Sequence, residues 1–177
     1  VDLPEGCILL PADTPERRWR RRITLRQTPA PNESFLIGSE VVDQDGQPFT
    51  DATGARVTLI DPVAFPHEHG PDGFPSQVRR VCAVLGRTEV WEVLNESPEL
   101  HNFHIHQGRF RLARAGDAGV PEDIAPSLFD PAGSMAGVQD PGVGGARAWM
   151  DSVPVPARRA VDEPGRSYIA IPFVAPE

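Results

Sequence analysis

The chain contains no lysine, and all 17 of its basic residues are arginine. Cysteine and histidine are also scarce, with two and five residues respectively. No apolar run is long enough to span a bilayer, so the sequence predicts no membrane span. The N-terminus lacks a basic segment followed by an apolar one, which fits a mature or excised chain. Cys7 and Cys82 lie far apart, so they form no metal-type pair and permit at most one internal disulfide.

The formal net charge of −8 argues against nucleic acids and anionic membranes as partners. One local exception is the run RRWRRR at 17–22, which combines five arginines with a tryptophan. Isolated basic runs usually lie on a solvated face. We therefore interpret this run as a solvated or interdomain surface.

The density of proline and glycine, 20 and 16 in 177 residues, is too high for long helices and favours short strands joined by irregular loops. Alternating apolar and polar residues predict some seven or eight strands. The candidate strands are RRITLRQ, SFLIGSEVV, ARVTLI, QVRRVCAVL, TEVWEVLNES, RFRLAR, RAWMDSVPV and RSYIAIPFV. The pattern predicts a single all-β domain over 21–177, an antiparallel sandwich or barrel. It follows a leading or linker segment at 1–20 and carries loop insertions near 43–76 and 115–146.

Three of the five histidines, His101, His104 and His106, lie within the short stretch HNFHIH. On a regular strand His104 and His106 project to one face, whereas His101 projects to the other. Imidazole is a common ligand of copper, zinc, iron and nickel. Packing explains three such side chains poorly, because each buried ring needs partners for two nitrogens. The cluster therefore predicts metal ligands that serve two sites.

Two mononuclear alternatives use the same histidines. A cupin site would need an acidic residue four or five positions after His106, but Phe110 and Arg111 occupy those positions. A tetrahedral zinc site built from all three histidines would need a bulge in the strand. The remaining pair, His67 and His69, lies in a segment rich in proline and glycine, and we expect it to face solvent.

A more specific pattern is the segment GRTEVWEVLNESPELHNFHIHQGRFRLA, which is followed by WMDSVPVP and SYIAIPFV. This arrangement resembles the C-terminal cupredoxin domain of the laccase-like multicopper oxidases, most strongly over 84–114 and 148–174. The resemblance implies a Greek-key β-sandwich. It also implies copper as cofactor, in a type 1 centre and in a trinuclear type 2 and type 3 cluster.

By position in the motif, His101 would bind the type 1 copper, His104 the type 2 copper and His106 a type 3 copper. No catalytic residue beyond these ligands is assignable. The implied activity is one-electron oxidation of a phenol, an aromatic amine or a metal ion, coupled to four-electron reduction of dioxygen to water. The family also implies a periplasmic or extracellular location.

The chain departs from the family after SYIAIPFV, where a His-Cys-His segment is expected. We therefore expect a domain that is incomplete at its C-terminal end and inactive alone. Its partners would be the missing cupredoxin domains and C-terminal segment of the same protein, together with the reducing substrate and dioxygen. Two other functions remain open: a copper-free cupredoxin-like interaction or structural module, and a mononuclear metal-binding protein.

Overall fold

The computed structural model describes residues 7–27, 31, 35–50, 54, 58–60, 80–106, 108–113 and 149–173. These residues form strands without any helix. The strands are β1 (Cys7–Ile8), β2 (Trp19–Gln27), β3 (Phe35–Asp43), β4 (Thr58–Ile60), β5 (Arg80–Val81), β6 (Thr88–Asn95), β7 (His101–His104), β8 (Arg111–Leu112), β9 (Ser152–Val155) and β10 (Gly165–Pro172). Most of the predicted loops at 43–76 and 115–146 lie outside the described residues.

Six of the strands form one sheet in the order β4-β3-β2-β6-β10-β8. Its pairings are antiparallel except that of β2 with β6, which runs parallel from Arg21 opposite Trp91 to Leu25 opposite Asn95. A parallel pair needs a long crossover connection, and here the chain returns to β6 only after passing through β3, β4 and β5. The sheet is therefore mixed.

A second sheet, formed by β7 and β9, packs on one face of the six-stranded sheet, which we call the inner face. The shared core contains aliphatic and aromatic side chains from both sheets: Ile23, Val93, Phe110, Val153, Val155, Ile169 and Ile171. Side chains alternate between the faces of a strand, so Trp91 and Val93 join this core while Val90 packs with Tyr168 on the opposite, outer face. The predicted all-β sandwich is confirmed, whereas its Greek-key order stays a prediction.

The basic run is solvated only at its beginning, where Arg17 and Arg18 are exposed. Its second half, residues 20–22 in β2, is buried or half-buried, so the interpretation as a solvated surface is wrong there. Arg20 and Arg21 are only 6% and 0% exposed. Arg21 points to the inner face and forms an ion pair of 2.6 Å with Glu89. Arg20 points to the outer face and pairs with Glu92 at 3.1 Å. The parallel pairing of β2 with β6 brings these glutamates beside the arginines, and a buried charge requires such a partner.

Glu92 is the centre of the outer-face network. Its carboxylate accepts hydrogen bonds from Nε of Arg20, Nε of Arg22 and the hydroxyl of Tyr168. Burial alone would raise the pKa of Glu92, but the charges of Arg22 and Arg20 outweigh it and hold that pKa below its usual range. Burial, together with the Glu92 charge, raises the pKa of Tyr168 above its usual range. The network therefore ties β2, β6 and β10 together with Glu92 ionised and Tyr168 neutral.

The third sheet is the parallel pair of β1 with β5, in which Cys7 lies opposite Arg80. Cys82, directly after β5, is disulfide-bonded, and Cys7 is the only other cysteine of the chain. The leading segment thus joins the fold by β1, and β2 begins at Trp19, two residues before the predicted domain start.

Candidate metal centre

The histidine-bearing strand β7 pairs with β9 in a regular antiparallel register, with His101 opposite Val155 and His104 opposite Ser152. Burial alternates along the strand and beyond it. Phe103 and Ile105 pack against the sandwich core, whereas the side chains at the intervening positions are exposed. The alternation of apolar and polar residues in this segment therefore sets which way each imidazole points.

His101 lies on the core-facing side of β7 and is half-buried. Its ring contacts the ring of Phe35 edge to face, with 5.3 Å between the centroids. Phe35 begins β3, on the neighbouring sheet, and is 62% exposed. His101 therefore lies between the two sheets at an end of the sandwich that remains open to solvent.

His104, the last residue of β7, and His106, in the turn just after it, are both exposed. Their ring centroids are 4.8 Å apart and the ring planes are nearly perpendicular. The structure thus brings two of the three predicted ligands together and separates the third from them. Because β7 and β9 pair without a bulge, the three rings do not converge as the single zinc site would require.

The ring of His104 is fixed from the side of β9. Its Nδ1 lies 2.8 Å from the backbone carbonyl oxygen of Asp151 and 2.9 Å from Oγ of Ser152. A carbonyl oxygen only accepts hydrogen bonds, so Nδ1 must carry the proton in the neutral ring. The lone pair is then on Nε2. A backbone carbonyl that binds one imidazole nitrogen and leaves the other unprotonated is the usual second contact of a metal-ligating histidine.

The described residues fit a metal only in part. They contain no group of three or more His, Cys, Asp or Glu side chains that could hold a metal ion. Two adjacent imidazoles and one separate imidazole are what the described part of the chain contributes, and a metal bound by these side chains needs further ligands. His67 and His69, the pair expected to face solvent, lie outside the described residues.

Four residues around the histidines were not identified from the sequence. Asp151 and Ser152 hold His104, while Asn95 and Ser97 form a buried network in the turn before His101. The segment NESPE carried a usable signal, because Asn and Ser side chains bind neighbouring backbone groups in turns. No comparable local signal marks Asp151, which acts through its backbone carbonyl.

Comparisons of the chain with protein-family models, with curated proteins and with solved structures find no match. Among the described residues there is also no helix long and apolar enough to cross a membrane. The geometry of the histidine strand is therefore the main basis for a functional assignment.

Proposed function

We propose that this chain is the histidine-bearing part of a laccase-like multicopper oxidase. The observation that carries the proposal is the division of the three imidazoles of β7 and the turn after it between two sides of the chain. His104 and His106 lie 4.8 Å apart on the exposed side, and His101 contacts Phe35 on the core-facing side. This one segment can therefore supply ligands to two separate copper centres, as the sequence motif implies.

In this proposal His101 binds the type 1 copper, His104 the type 2 copper and His106 a type 3 copper. Imidazole suits copper in either oxidation state, and a type 1 centre adds a thiolate. When bound, these coppers accept single electrons from a reducing substrate and deliver four electrons to dioxygen.

The residues of this chain prepare the ligands for that role. The Asp151 carbonyl keeps the proton of His104 on Nδ1, so the ring meets a metal through Nε2 without first losing a proton from that atom. Phe103 and Ile105 anchor the strand in the apolar core between the histidines. The rings are thus oriented before copper arrives, which reduces the ordering needed on binding.

Two exposed apolar side chains support the proposal that further polypeptide of the same oxidase covers this part of the sandwich. Phe35 and Ile37 are 62% and 48% exposed, although they stand on the inner face of β3. Ile37 is opposite Leu25, which packs against the core. The contact of His101 with Phe35 leaves Phe35 and Ile37 exposed, and large apolar side chains left uncovered mark a surface for other polypeptide.

The disulfide supports the proposed periplasmic or extracellular location. Cys82 is disulfide-bonded, and structural disulfides persist mainly in oxidising compartments. A reducing substrate would meet the enzyme outside the cytoplasm.

The test uses the complete protein that contains this chain, loaded with copper. We expect dioxygen consumption with a phenolic, amine or metal-ion reductant. His101→Ala should abolish or strongly shift the intense blue absorption while most of the cluster copper stays bound. His104→Ala and His106→Ala should spare the blue band, release copper from the cluster and stop dioxygen reduction. Asn102→Ala is the matched control, because Asn102 is exposed and lies between His101 and His104 in β7. It should change neither the blue band nor the copper content.

The copper content separates the proposal from its competitors. A multicopper oxidase holds about four coppers in the complete protein, whereas a mononuclear protein holds about one and an interaction module none. Loss of the same single metal ion in all three histidine variants would refute the two-centre assignment. Absence of dioxygen consumption with every reductant class would refute the oxidase.

A further inference from the structure

Asn95 is the last residue of β6 and is fully buried. It lies opposite Gly165 of β10 and precedes the turn of residues 96–100 that leads into β7 at His101. A buried asparagine is stabilising only when its amide finds hydrogen-bond partners. The partners of Asn95 all belong to the segments that surround the start of β7.

The amide nitrogen of Asn95 faces three backbone carbonyl oxygens. It lies 2.7 Å from the oxygen of Glu99, 3.0 Å from that of Pro156 and 3.2 Å from that of Val155. The amide oxygen accepts hydrogen bonds from the backbone N–H of Ser97 at 2.9 Å and from its hydroxyl at 2.7 Å. An amide group has two donor hydrogens and two acceptor lone pairs. The side chain of Asn95 therefore uses its whole hydrogen-bonding capacity here.

These contacts hold both strands of the histidine-bearing sheet at one point. Glu99 lies two residues before His101 on the way into β7, and Val155 is the cross-strand partner of His101 in β9. A slip of one residue in such a register moves every side chain of a strand to the opposite face. Asn95 thus holds the start of β7 in the register that directs His101 toward the core.

We propose that Asn95 is a positioning residue for His101. The inference rests on the proposed role of His101 as a metal ligand, and it adds the group that sets the direction of that ligand. At the far end of the same sheet, His104 is held independently by Asp151 and Ser152. A change at Asn95 should therefore act on His101 selectively and leave the pair of His104 and His106 in place.

The decisive variant is Asn95→Asp, which keeps the size of the side chain and the oxygen that accepts from Ser97. It replaces the NH2 group that faces three carbonyl oxygens with a carboxylate oxygen, which only accepts hydrogen bonds. Repulsion between the new carboxylate and these carbonyl oxygens should separate the backbones of Glu99 and Val155, which Asn95 holds together in the wild type. Asn102→Asp is the matched control, because this substitution makes the same chemical change at an exposed position of β7.

The first measurement is nuclear magnetic resonance of the chain with isotope-labelled histidine. In the wild type we expect cross-relaxation between the rings of His101 and Phe35, and between those of His104 and His106. Asn95→Asp should abolish the first contact and shift the His101 ring resonances, while the second contact persists. Asn102→Asp should preserve both. Asn95→Asp with a lower melting temperature but an intact contact of His101 with Phe35 would show a merely structural role and overturn the inference.

A second variant covers the case in which Asn95→Asp does not fold. Ser97→Ala removes one of the two donors to the Asn95 oxygen and the acceptor for the N–H of Glu99. We expect the same selective shift of the His101 resonances with smaller amplitude. Unchanged His101 resonances in a folded Ser97→Ala variant would then overturn the inference.

A copper measurement separates failure of this inference from failure of the proposed function. In the complete protein Asn95→Asp should shift or bleach the blue absorption while the cluster copper is retained. If the wild-type protein bound no copper, the proposed function would fail, yet the ring contacts in the free chain would still decide whether Asn95 positions His101.

Discussion

The hydroxyl of Tyr168 donates a hydrogen bond of 3.1 Å to Oε1 of Glu92 on the buried outer face of the six-stranded sheet. The other carboxylate oxygen, Oε2, accepts from Nε of Arg20 and Nε of Arg22. One carboxylate thus joins three neighbouring strands. Removing the central carboxylate leaves Arg20 buried without its charged partner, which is more destabilising than losing an exposed ion pair.

Glu92→Gln should therefore destabilise the fold strongly. Arg20 would lose its charged partner and Arg22 would keep only Glu40, at 3.7 Å, and breaking a buried ion pair costs about 3–5 kcal/mol. Chemical denaturation should show this as a lower unfolding midpoint with an unchanged slope. The control is Glu96→Gln, whose partner Arg26 is 41% exposed, and an exposed pair contributes about 0–1 kcal/mol. Equal losses in the two variants would contradict the central place of Glu92.

The same carboxylate predicts an acid-dependent loss of stability. The pKa of Glu92 in the folded state lies below its ordinary value of 4.5, so its contribution is present above 4.5 and disappears as the pH falls through the folded value. The free energy of unfolding, measured against pH, should fall below 4.5 in the wild type. In Glu92→Gln this part of the decrease should be absent. Parallel curves for the two proteins below 4.5 would contradict the assignment.

Tyr168 predicts the corresponding behaviour at high pH. Its pKa in the folded state is raised above the ordinary value of 10.0, so the neutral hydroxyl stabilises the fold below 10.0 and this contribution is lost as the pH rises through the folded value. Tyr168→Phe should remove that part of the alkaline decrease. At neutral pH it should cost about 1 kcal/mol for the lost hydrogen bond. Denaturation curves at neutral and alkaline pH test both parts.

Gly165 should not tolerate a side chain. A Cβ atom at this position would overlap the carbonyl oxygen of Pro156, so Gly165→Ala must displace backbone at Pro156 or in β10. We expect a loss of at least about 3 kcal/mol, comparable to severe overpacking. Gly86→Ala is the control, because a Cβ atom there would meet no neighbouring atom. The only expected cost is that of holding alanine at a φ of +83°, about 1–2 kcal/mol. A smaller loss at Gly165 than at Gly86 would contradict the close approach.

Removal of the disulfide should also lower stability. Cys82 is disulfide-bonded, and with Cys7 as the only other cysteine the bond closes a loop of about 75 residues, worth about 4 kcal/mol in the chain-entropy account. Cys82→Ser should lower the melting temperature of the protein, and a reductant should lower that of the wild type to a similar value. A wild-type protein that melts at the same temperature with and without reductant would refute this prediction.

Much of the strand pattern could be predicted from the sequence, because local alternation determines it. The alternation in TEVWEVLNES predicts Val90, Glu92 and Leu94 on one face of the strand and Trp91, Val93 and Asn95 on the other. In the structure Trp91 and Val93 join the inner core, while Val90 and Glu92 contact Tyr168 on the outer face. The faces of His101, His104 and His106 follow from the same two-residue period. Side-chain direction on a regular strand depends only on position along it.

The features that were missed depend on residues far apart in the chain. The burial of Arg20 and Arg21 depends on Glu92 and Glu89, which lie 72 and 68 positions later. The pairing of β2 with β6 is parallel, and no local pattern distinguishes it from an antiparallel one. The segment QVRRVCAVL is predicted as a full strand, yet within its described part, residues 80–85, pairing is confined to Arg80 and Val81, with the leading segment.

The parallel pairing of β2 with β6 also has a consequence for the order of folding. Ile23 pairs with Val93, although β3, β4 and β5 lie between these residues in the chain. Contacts between residues so far apart in sequence give a high contact order, and such topologies fold slowly. During synthesis, Arg20 and Arg21 leave the ribosome long before their carboxylate partners exist. The nascent chain must therefore keep these arginines solvated until β6 has emerged. The hairpin of β2 with β3 can pair before β6 is synthesised, whereas the burial of Arg20 and Arg21 waits for Glu92 and Glu89.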